Sequence, residues 1–453
     1  MTYDLAILGG GPGGCEAAIE AATLGLRVCL VERGELGGVC LNAGCIPTKL
    51  LLGATDVLEE LAAQGRARLA VGEVQVDFAA VQARKDRLIA ASRKAVAERL
   101  TQLGVEVLRG LGRLDGPDAL LVAEGAGTVR VGFRHAVIAT GSRPRGLPGL
   151  EPDGAAVLDS TGFLSLPRVP KSLIAAGAGF IGLECAQIAA RFGARVVLCE
   201  AAERIAPAEP PEISKALESA FRRKGFEIRT GVRIRSLVTR GDSAALVLES
   251  GEEFTAERAL VAVGRAPNTA DLGLDTAGIA TSAAGFIETD PYLCAGGSVF
   301  AVGDVNGRTL LAHAASCQGR YVARRAAGLA PDPFDPGPMP AILYGSPEAV
   351  RVGRMPGELT AAGLAARVSR ADLAANPMSQ AHAAPQGFVM AVWSGEKLAG
   401  VAAVGVGVSR LAAPATLAVR EGWTRRRAAE AVFPHPTLEE SLLHALLAEP
   451  DGT

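Results

Sequence analysis

A short segment that occurs twice limits the folds this chain can adopt. The first copy predicts a strand over residues 2–8, a glycine-rich turn, a helix over Glu16–Leu24 and a second strand ending at Glu32. The same order recurs over residues 172–200, at a constant offset of 168. Aligned without gaps from their glycine turns, the two copies are identical at 12 of 24 positions. The repeated pattern therefore predicts two related βαβ units and an α/β fold.

Both copies carry the glycine pattern G-x-G-x-x-G at the turn and an acidic residue at the end of the second strand. The first glycine permits a tight turn, the second lets a pyrophosphate approach the backbone, and the third lets the helix pack against the strand. An isolated match is often only a loop, but here strand, helix and acid accompany it twice. The residues are Gly9, Gly11, Gly14 and Glu32 in the first copy, and Gly177, Gly179, Gly182 and Glu200 in the second. We predict two dinucleotide sites.

The acid of the second unit bears on which nicotinamide nucleotide binds there. An ionised Glu200 can accept a hydrogen bond from a ribose 2′-hydroxyl and repels a 2′-phosphate, for which an NADP site usually supplies an arginine. Arg204 is the basic residue close behind it in the sequence, and we interpret it as a solvated or capping side chain. The second unit is therefore predicted to prefer NAD.

Two of the eight cysteines, Cys40 and Cys45, lie five residues apart just after the first βαβ unit. Three interpretations are open: buried structural thiols, a zinc site, or a redox-active disulfide. No second cysteine pair or histidine cluster is nearby in sequence to complete four zinc ligands. The position after a nucleotide-binding unit favours the redox interpretation. The six remaining cysteines are predicted to lie in the core: Cys15, Cys29, Cys185, Cys199, Cys294 and Cys317.

Composition argues against several classes of partner. The chain has 46 basic and 48 acidic residues and a net charge of -2, and no lysine or arginine run suggests a phosphate-binding face, so nucleic acid is not expected. Its longest charge-free apolar stretches, 173–183 and 398–408, are well short of the roughly 18 residues of a spanning helix, so no membrane segment is expected. Asp4 stands where a signal peptide has basic residues, and the cysteines are too sparse for a disulfide framework. We expect a cytoplasmic protein.

Eight motifs in the same order make the chain similar to the pyridine nucleotide–disulfide oxidoreductase family. They are Gly9–Gly14, Cys40–Lys49, Ala139–Pro144, Gly177–Glu184, Val263–Asn268, Ala301–Asp304, Tyr344–Glu348 and His435–Glu440. Within the family they most resemble the branch that oxidises dihydrolipoamide, because glutathione-type reductases usually read Val-Pro-Lys-Lys where this chain has Ile46-Pro-Thr-Lys49. The resemblance implies two Rossmann-like dinucleotide-binding domains of the glutathione-reductase type and a C-terminal α+β dimerisation domain.

The resemblance also implies domain boundaries and binding residues. The FAD domain would be discontinuous, over residues 1–147 and 266–336, followed by an NAD domain over 148–265 and a dimerisation domain over 337–453. The FAD site would add Lys49, Thr140, Gly141, Ser142 and Asp304 to the first glycine turn, with Asp304 at the ribityl chain, and the NAD site would add Glu184 and Gly264 to the second. Lys49 and Glu184 match the family's pair near the flavin and the nicotinamide. For either residue alone, a position on a helix surface is the alternative.

A histidine and a glutamate near the C-terminus, His435 and Glu440, form a second candidate catalytic group. The carboxylate can hold one imidazole tautomer while the other ring nitrogen takes a thiol proton. Taken alone, such a pair is more often a solvated helix start. The resemblance implies that His435 is the base and that it reaches the redox disulfide of the other subunit, so a homodimer is expected and a monomer should be inactive.

The implied reaction oxidises dihydrolipoamide, or a lipoyl group on a protein, with NAD through a Cys40–Cys45 disulfide and FAD, with Cys45 on the flavin side. The expected partners are a 2-oxo acid dehydrogenase or glycine cleavage complex. Two alternatives stay open: an NAD(P)H-dependent reductase of another small or protein disulfide, and a non-catalytic flavin-binding scaffold. The complete set of Cys40, Cys45, His435 and Glu440 argues against the scaffold.

Three positions depart from the lipoamide-oxidising branch. Arg410 stands where relatives usually carry an acid, Phe433 replaces a second histidine that often precedes the base, and residues 375–380 lack an expected basic residue. These departures bear on the approach of the substrate rather than on the redox centre.

Overall fold

The structure, a computed structural model, describes residues 2–70, 72–125 and 127–451. These residues divide into two units. The first unit contains the residues up to Pro47, Ala83–Arg145 and Gly264–Pro336. The second unit contains Thr48–Gln82, Gly146–Val263 and the residues from Gly337 onward. Residues 48–82, which the resemblance places in the FAD domain, thus group with the second unit, and the three-domain division itself stays a prediction.

The α-helices, in chain order, are α1 (Pro12–Thr23), α2 (Gly38–Ala43), α3 (Cys45–Ala54), α4 (Asp56–Arg66), α5 (Phe78–Gln102), α6 (Ser160–Leu164), α7 (Phe180–Arg191), α8 (Pro211–Arg223), α9 (Ala312–Ala326), α10 (Pro356–Ala361), α11 (Pro377–Ala381), α12 (Ala412–Arg420), α13 (Arg425–Ala429) and α14 (Glu440–Leu447). Short 3₁₀ helices cover Leu274–Ala277, Gly303–Asn306, Leu373–Ala375 and Val408–Leu411.

The strands, in chain order, are β1 (Thr2–Leu8), β2 (Val28–Glu32), β3 (Glu106–Arg109), β4 (Leu111–Leu114), β5 (Ala119–Glu124), β6 (Gly127–Ile138), β7 (Ser142–Pro144), β8 (Val157–Leu158), β9 (Ser172–Ala176), β10 (Arg195–Cys199), β11 (Glu227–Arg229), β12 (Ile234–Arg240), β13 (Ser243–Leu248), β14 (Glu253–Ala256), β15 (Arg258–Val261), β16 (Arg265–Pro267), β17 (Cys294–Gly296), β18 (Val299–Ala301), β19 (Ala341–Leu343), β20 (Glu348–Gly353), β21 (Arg367–Asp372), β22 (Gly387–Ser394) and β23 (Lys397–Gly405).

The first unit is built on a sheet with the order β17-β18-β6-β1-β2-β3, to which β5 and β4 are joined through β6. Its central pairs, such as β1 with β2 and β1 with β6, are parallel. Alternate residues of β1 enter different cores, because a strand points successive side chains to opposite faces. Leu5 and Ile7 join a cluster with residues of α1 and α9, while Ala6 and Leu8 join a cluster on the other face. Both faces are therefore covered, as parallel sheets require.

The second unit contains a similar parallel sheet and, in addition, two antiparallel sheets. A parallel sheet with the order β11-β10-β9-β15-β8 carries α7 after its central strand β9, and β12-β13-β14 form a separate antiparallel sheet. The C-terminal residues form an antiparallel sheet with the order β19-β20-β23-β22-β21. Trp393 is buried there and donates its Nε1–H to Ser369 Oγ at 2.8 Å, and that hydroxyl donates to the carbonyl of Ala445 in α14 at 2.6 Å. This hydrogen-bond chain joins sheet and helix in an α+β arrangement.

Both predicted βαβ units are present, and the largest difference in a boundary is at the start of α1. Helix α1 begins at Pro12 rather than at Glu16. Its N-cap is Gly11 in an extended conformation, and proline suits the first helical position because its ring presets φ and no N–H is needed there. The prediction of a buried core position holds for Cys15, Cys29, Cys185 and Cys199. It is wrong for Cys294 and Cys317, which are half-buried.

Candidate active site

The first glycine turn shows why two of its three glycines cannot carry a side chain. Gly9 has a φ of +102°, and a Cβ there would lie 2.4 Å from the carbonyl oxygen of Ala139. A Cβ on Gly14 would lie 1.9 Å from the carbonyl oxygen of Gly9. Gly11 differs, since the nearest atom to its Cβ would be the Cα of Gly38 at 3.9 Å. The middle glycine therefore faces open space at the start of α1.

The second turn has the same geometry. Gly177 has a φ of +100°, and its Cβ would lie 2.4 Å from the carbonyl oxygen of Ala262. A Cβ on Gly182 would lie 2.0 Å from the carbonyl oxygen of Gly177, whereas a Cβ on Gly179 would meet nothing within 4 Å. Packing thus excludes a side chain at the outer glycines, and the middle glycine leaves room beside a helix N-terminus. This is the arrangement that a bound pyrophosphate needs.

These two kinds of glycine should respond differently to substitution. We expect Gly182→Ala to destabilise the protein by about 1–3 kcal/mol, because its methyl group overpacks the turn. Gly179→Ala should leave the thermal midpoint unchanged and raise the KM for NAD about tenfold, because its methyl group occupies only the open space. Differential scanning fluorimetry and steady-state kinetics measure both effects. An unchanged KM in a folded Gly179→Ala variant would show that this space does not receive the nucleotide.

The acid of each unit is oriented by backbone amides. Glu32 accepts hydrogen bonds from the N–H groups of Gly10 and Gly34 at 2.6 and 2.7 Å. Glu200 accepts from Ala178 and Ala202 at 2.7 and 2.9 Å. Because these bonds hold the carboxylates at the glycine turns, both acids are placed to accept from a ribose hydroxyl.

Arg204 does not act as a free cation beside Glu200. Its Nη2 donates to the carbonyl oxygens of Pro207 and Glu209, at 2.9 and 3.3 Å. The guanidinium therefore caps its own loop. This contact supports the interpretation that Arg204 is a capping side chain rather than a ligand for a 2′-phosphate.

The two predicted redox cysteines lie on consecutive helices. Cys40 is half-buried within α2, and Cys45 is exposed at the first position of α3. Asn42 lies between them and donates from Nδ2 to the carbonyl of Gly38 at 2.8 Å, while Arg93 Nε of α5 donates to its Oδ1 at 2.5 Å. Sequence reasoning missed both Asn42 and Arg93. The position of Asn42 inside the cysteine motif was the one available signal.

A zinc site at Cys40 and Cys45 would need further cysteine, histidine or carboxylate ligands beside them. Among the residues that the structure describes, no three His, Cys, Asp or Glu side chains are grouped so that they could hold a metal ion. Within the same ranges, no helix combines the length and apolar character that crossing a membrane requires.

Four of the five residues predicted to complete the FAD site, Thr140, Gly141, Ser142 and Asp304, lie in the first unit, whereas Lys49 belongs to the second. Ser142 donates its hydroxyl hydrogen to a carboxylate oxygen of Asp304, and Arg265 donates to Ser142 Oγ at 2.6 Å. Thr140 donates to the carbonyl of Asn268 at 2.8 Å, which joins the residues just before β7 to the residue just after β16. Gly141 has a φ of +69° with no atom near its missing Cβ. Gly264, predicted to bind NAD, also belongs to the first unit.

Lys49 and Glu184, predicted as a pair, are in contact in the second unit. Lys49 Nζ lies 2.7 Å from Glu184 Oε2, and the side chains are 32% and 7% exposed. Burial raises the pKa of the Glu184 carboxyl above its ordinary value, and the adjacent ammonium opposes that rise. The structure thus brings Lys49 together with an NAD-site candidate through a partly buried ion pair.

His435 and Glu440 are also in contact. Nδ1 of His435 lies 2.9 Å from Glu440 Oε1, and the N–H of Thr437 donates to Glu440 Oε2 at 2.9 Å. The hydrogen bond from the Thr437 N–H and, as a smaller effect, the hydrogen bond with His435 hold the pKa of the Glu440 carboxyl below its usual range. The acid is therefore ionised at neutral pH. An ionised acid favours the tautomer with hydrogen on Nδ1, which leaves Nε2 able to accept a proton. The imidazole is 72% exposed.

Comparison with known proteins decides the family. Residues 3–319 match the family described as pyridine nucleotide-disulphide oxidoreductase, and residues 339–446 match its dimerisation domain. The chain belongs to this family.

The relatives of this oxidoreductase cover almost all of its length. A dihydrolipoyl dehydrogenase of Chlorobaculum tepidum is 37% identical over 451 residues, covering 98% of this chain and 96% of the relative. The dihydrolipoyl dehydrogenase of Bacillus subtilis is 35% identical over 462 residues, covering 98% of both. Among solved structures, LpdA of Mycobacterium tuberculosis has a TM-score of 0.90 at 27% identity and covers 98% of both chains. The HOCl-induced flavoprotein disulfide reductase RclA of Escherichia coli has a TM-score of 0.86 at 25% identity, covering 98% of this chain and 99% of RclA.

The fold class and the cofactors predicted from the sequence are confirmed. The oxidoreductase has the glutathione-reductase-type α/β fold with a C-terminal dimerisation domain. It is an enzyme of a family that uses FAD and NAD. The two glycine turns fit these dinucleotides, since each leaves open space at its middle glycine and holds an acid beside it.

The structure also locates the three positions that are predicted from the sequence to depart from the lipoamide-oxidising branch. Arg410 is exposed and Phe433 is half-buried. In the 375–380 segment, buried Asn376 caps α11 and donates from Nδ2 to the carbonyl of Thr437 at 2.9 Å. Because Thr437 also binds Glu440, this segment supports the loop that carries His435.

Proposed function

We propose that this oxidoreductase is a dihydrolipoyl dehydrogenase that oxidises dihydrolipoamide, or lipoyl groups on a carrier protein, with NAD. The observation that carries the proposal is the contact between His435 and Glu440 at 2.9 Å. A base held in this way serves a thiol substrate, whereas hydride exchange between a flavin and a nicotinamide does not require it. Full-length relatives named dihydrolipoyl dehydrogenase support the same substrate.

The chain's residues account for the thiol chemistry. His435 Nε2 removes the proton of one substrate thiol, and the thiolate attacks Cys40 of the Cys40–Cys45 disulfide. The S–S bond breaks, Cys45 leaves as a thiolate, and a mixed disulfide remains on Cys40. The second substrate thiol then displaces Cys40 and gives up its proton as Cys40 leaves, which closes the substrate disulfide. One of the two substrate protons is then on His435 and the other on Cys40, so both cysteines are reduced and Cys45 stays a thiolate. Bound FAD supplies a two-electron relay from the dithiol to NAD.

We infer that the enzyme works as a homodimer with shared sites. Residues 339–446 match the family's dimerisation domain, and His435 within it is largely exposed on its own chain. A base that serves the disulfide of the partner subunit needs such exposure. Each active site would then combine Cys40 and Cys45 of one subunit with His435 and Glu440 of the other.

The compartment, domain roles and assembly partners complete the proposal. Cys15, Cys29, Cys185 and Cys199 are buried single thiols, which suit the reducing cytoplasm. We assign FAD to residues 1–147 and 266–336 and NAD to 148–265. A 2-oxo acid dehydrogenase or glycine cleavage complex would present the lipoyl group.

A second candidate is an NADH-dependent reductase of a different disulfide. It is favoured by the likeness to a flavoprotein disulfide reductase of Escherichia coli and by the exposed Arg410, which changes the charge where relatives usually carry an acid. The redox residues would be the same, and the electrons would run from NADH to the disulfide.

An anaerobic assay of the purified yellow protein separates the two candidates. We expect turnover with dihydrolipoamide plus NAD to exceed turnover with NADH plus any of a panel of small and protein disulfides. Dihydrolipoamide turnover below that of another disulfide would favour the second candidate.

The same assay tests the choice of nucleotide. We expect kcat/KM for NAD to exceed that for NADP by at least about tenfold, or roughly 1.4 kcal/mol, because Glu200 repels a 2′-phosphate. A Glu200→Gln variant should narrow this ratio, and Arg204→Gln serves as the control that should not change it. Equal rates of the wild-type enzyme with both nucleotides would contradict the assignment.

A further inference from the structure

A segment of the dimerisation domain, residues 344–346, lies against one face of α7. Directly after β19, the N–H of Tyr344 donates to Glu184 Oε1 at 3.0 Å. One helical turn further on, Gln187 Nε2 donates to the carbonyl of Tyr344 at 3.2 Å, and the N–H of Ser346 donates to Gln187 Oε1 at 2.8 Å. Glu184 and Gln187 are 5% and 2% exposed. Two buried side chains therefore bind three backbone groups of this segment.

The close approach of this segment to α7 requires a glycine. Gly345 has a φ of +124°, and a Cβ there would lie 2.3 Å from Gln187 Oε1. Any other residue would have to adopt this left-handed backbone conformation and would displace either the Gln187 amide or the segment itself.

The side chain of Tyr344 contacts the partner of Glu184. Lys49 Nζ lies 4.6 Å from the centroid of the Tyr344 ring, while it also contacts Glu184 Oε2 at 2.7 Å. The ammonium is thus held between a carboxylate and an aromatic face, and it is only partly exposed. The attraction between a cation and an aromatic ring is strongest where water is partly excluded. Without the ring, the flexible lysine side chain would have more conformations available.

We propose that Tyr344 is a positioning residue for the NAD half of the reaction. Its ring holds the ammonium of Lys49 and its backbone N–H holds the carboxylate of Glu184. This segment of the dimerisation domain thereby sets the geometry of the Lys49–Glu184 pair. This inference rests on one part of the proposed function, which is that the Lys49–Glu184 pair serves hydride transfer between NADH and the flavin.

Substitutions at Tyr344 separate the ring from the rest of the side chain. Tyr344→Phe keeps the aromatic face, and Tyr344→Leu removes it while leaving the backbone hydrogen bonds; Tyr344→Met replaces the leucine variant if that variant does not fold. The matched control is Tyr292→Leu, since the Tyr292 ring lies 4.4 Å from the guanidinium of Arg325 in the first unit. Stopped-flow measurements give the rate of enzyme reduction by NADH and, separately, by dihydrolipoamide.

We expect Tyr344→Leu to slow reduction by NADH roughly tenfold and to leave reduction by the dithiol within about twofold. Tyr344→Phe and Tyr292→Leu should stay within about twofold in both steps. A phenylalanine variant as slow as the leucine variant, or an equal loss in both half-reactions, would overturn the proposal. So would an unchanged NADH step in Tyr344→Leu.

A second readout does not depend on turnover. The rate at which Lys49 is acetylated is measured without NADH or dithiol and is divided by the rate for exposed Lys397 in the same protein. This ratio reports how well the Tyr344 ring covers the Lys49 ammonium. We expect this ratio to rise at least about threefold in Tyr344→Leu and to stay unchanged in Tyr344→Phe, and an unchanged ratio in both would overturn the proposal. If the wild-type enzyme fails to oxidise dihydrolipoamide, the substrate assignment falls, while NADH reduction and Lys49 acetylation still decide the role of Tyr344.

Discussion

Replacing His435 with glutamine should lower the rate of dihydrolipoamide oxidation by a factor on the order of 10²–10⁴. A thiol with an ordinary pKa of about 8.5 is only a few per cent thiolate at pH 7, so the reaction depends on a positioned base. Reduction of a quinone or dye by NADH should be spared, because it requires no thiol proton transfer. Glu440→Gln should cost less, since the base remains and loses only its orienting acid. Steady-state rates with both substrate pairs measure these effects.

A matched control and a complementation experiment sharpen this test. His382 is exposed and lies 3.9 Å from Glu60, so His382→Gln removes a comparable pair and should leave the dithiol rate unchanged. Mixed dimers of a Cys40→Ser subunit with a His435→Gln subunit should recover about half of the wild-type activity. In such a dimer, one site combines intact cysteines with the intact histidine of the other chain. Verified heterodimers without activity would mean that His435 serves its own chain or is not the base.

Replacing either redox cysteine with serine should abolish dithiol-dependent turnover. Cys40→Ser and Cys45→Ser each remove the disulfide, while the glycine turn and the Ser142–Asp304 contact that support FAD binding are unchanged. Both variants should therefore be purified with FAD at the wild-type ratio and should still reduce a dye with NADH. The half-buried Cys317 provides the control, since Cys317→Ser should keep full turnover.

The same variants test which cysteine faces the flavin. On two-electron reduction, Cys40→Ser should show the long-wavelength absorbance of a thiolate beside a flavin, because Cys45 remains. Cys45→Ser should lack this absorbance. The opposite result would exchange the roles of the two cysteines, and dithiol turnover in either variant would rule out the disulfide mechanism.

Much of the fold could be predicted because its signals are local. The strand, turn and helix of each βαβ unit follow from apolar periodicity and from glycines that lie within six residues of one another. The structure then separated the roles of these glycines. A Cβ added at Gly14 or Gly182 would lie less than 3 Å from a neighbouring atom, whereas a Cβ added at Gly11 or Gly179 would not. The start of α1 at Pro12 was missed because a glycine-rich stretch was read as a turn throughout.

The candidate redox and base residues were predicted from their motifs, but the groups that hold them were not. Asn42 was visible inside the cysteine motif, whereas its partner Arg93 is 51 residues away on α5. Glu440 was expected beside His435, whereas the amide of Thr437 and the support from Asn376 were not. A backbone amide has no side-chain signature in a sequence, so such contacts are found only in coordinates.

Local pattern was therefore sufficient for the two nucleotide-binding units, the acids that follow them and the types of residue in the redox centre. Folding added the contacts between distant positions. Ser142 meets Asp304 across 162 residues, and Tyr344 meets Glu184 across 160. Periodicity and turn chemistry report on neighbours within a few residues, whereas these contacts depend on how strands and helices pack. The packing is what places residues 344–346 of the dimerisation domain against α7 and joins them to the Lys49–Glu184 pair.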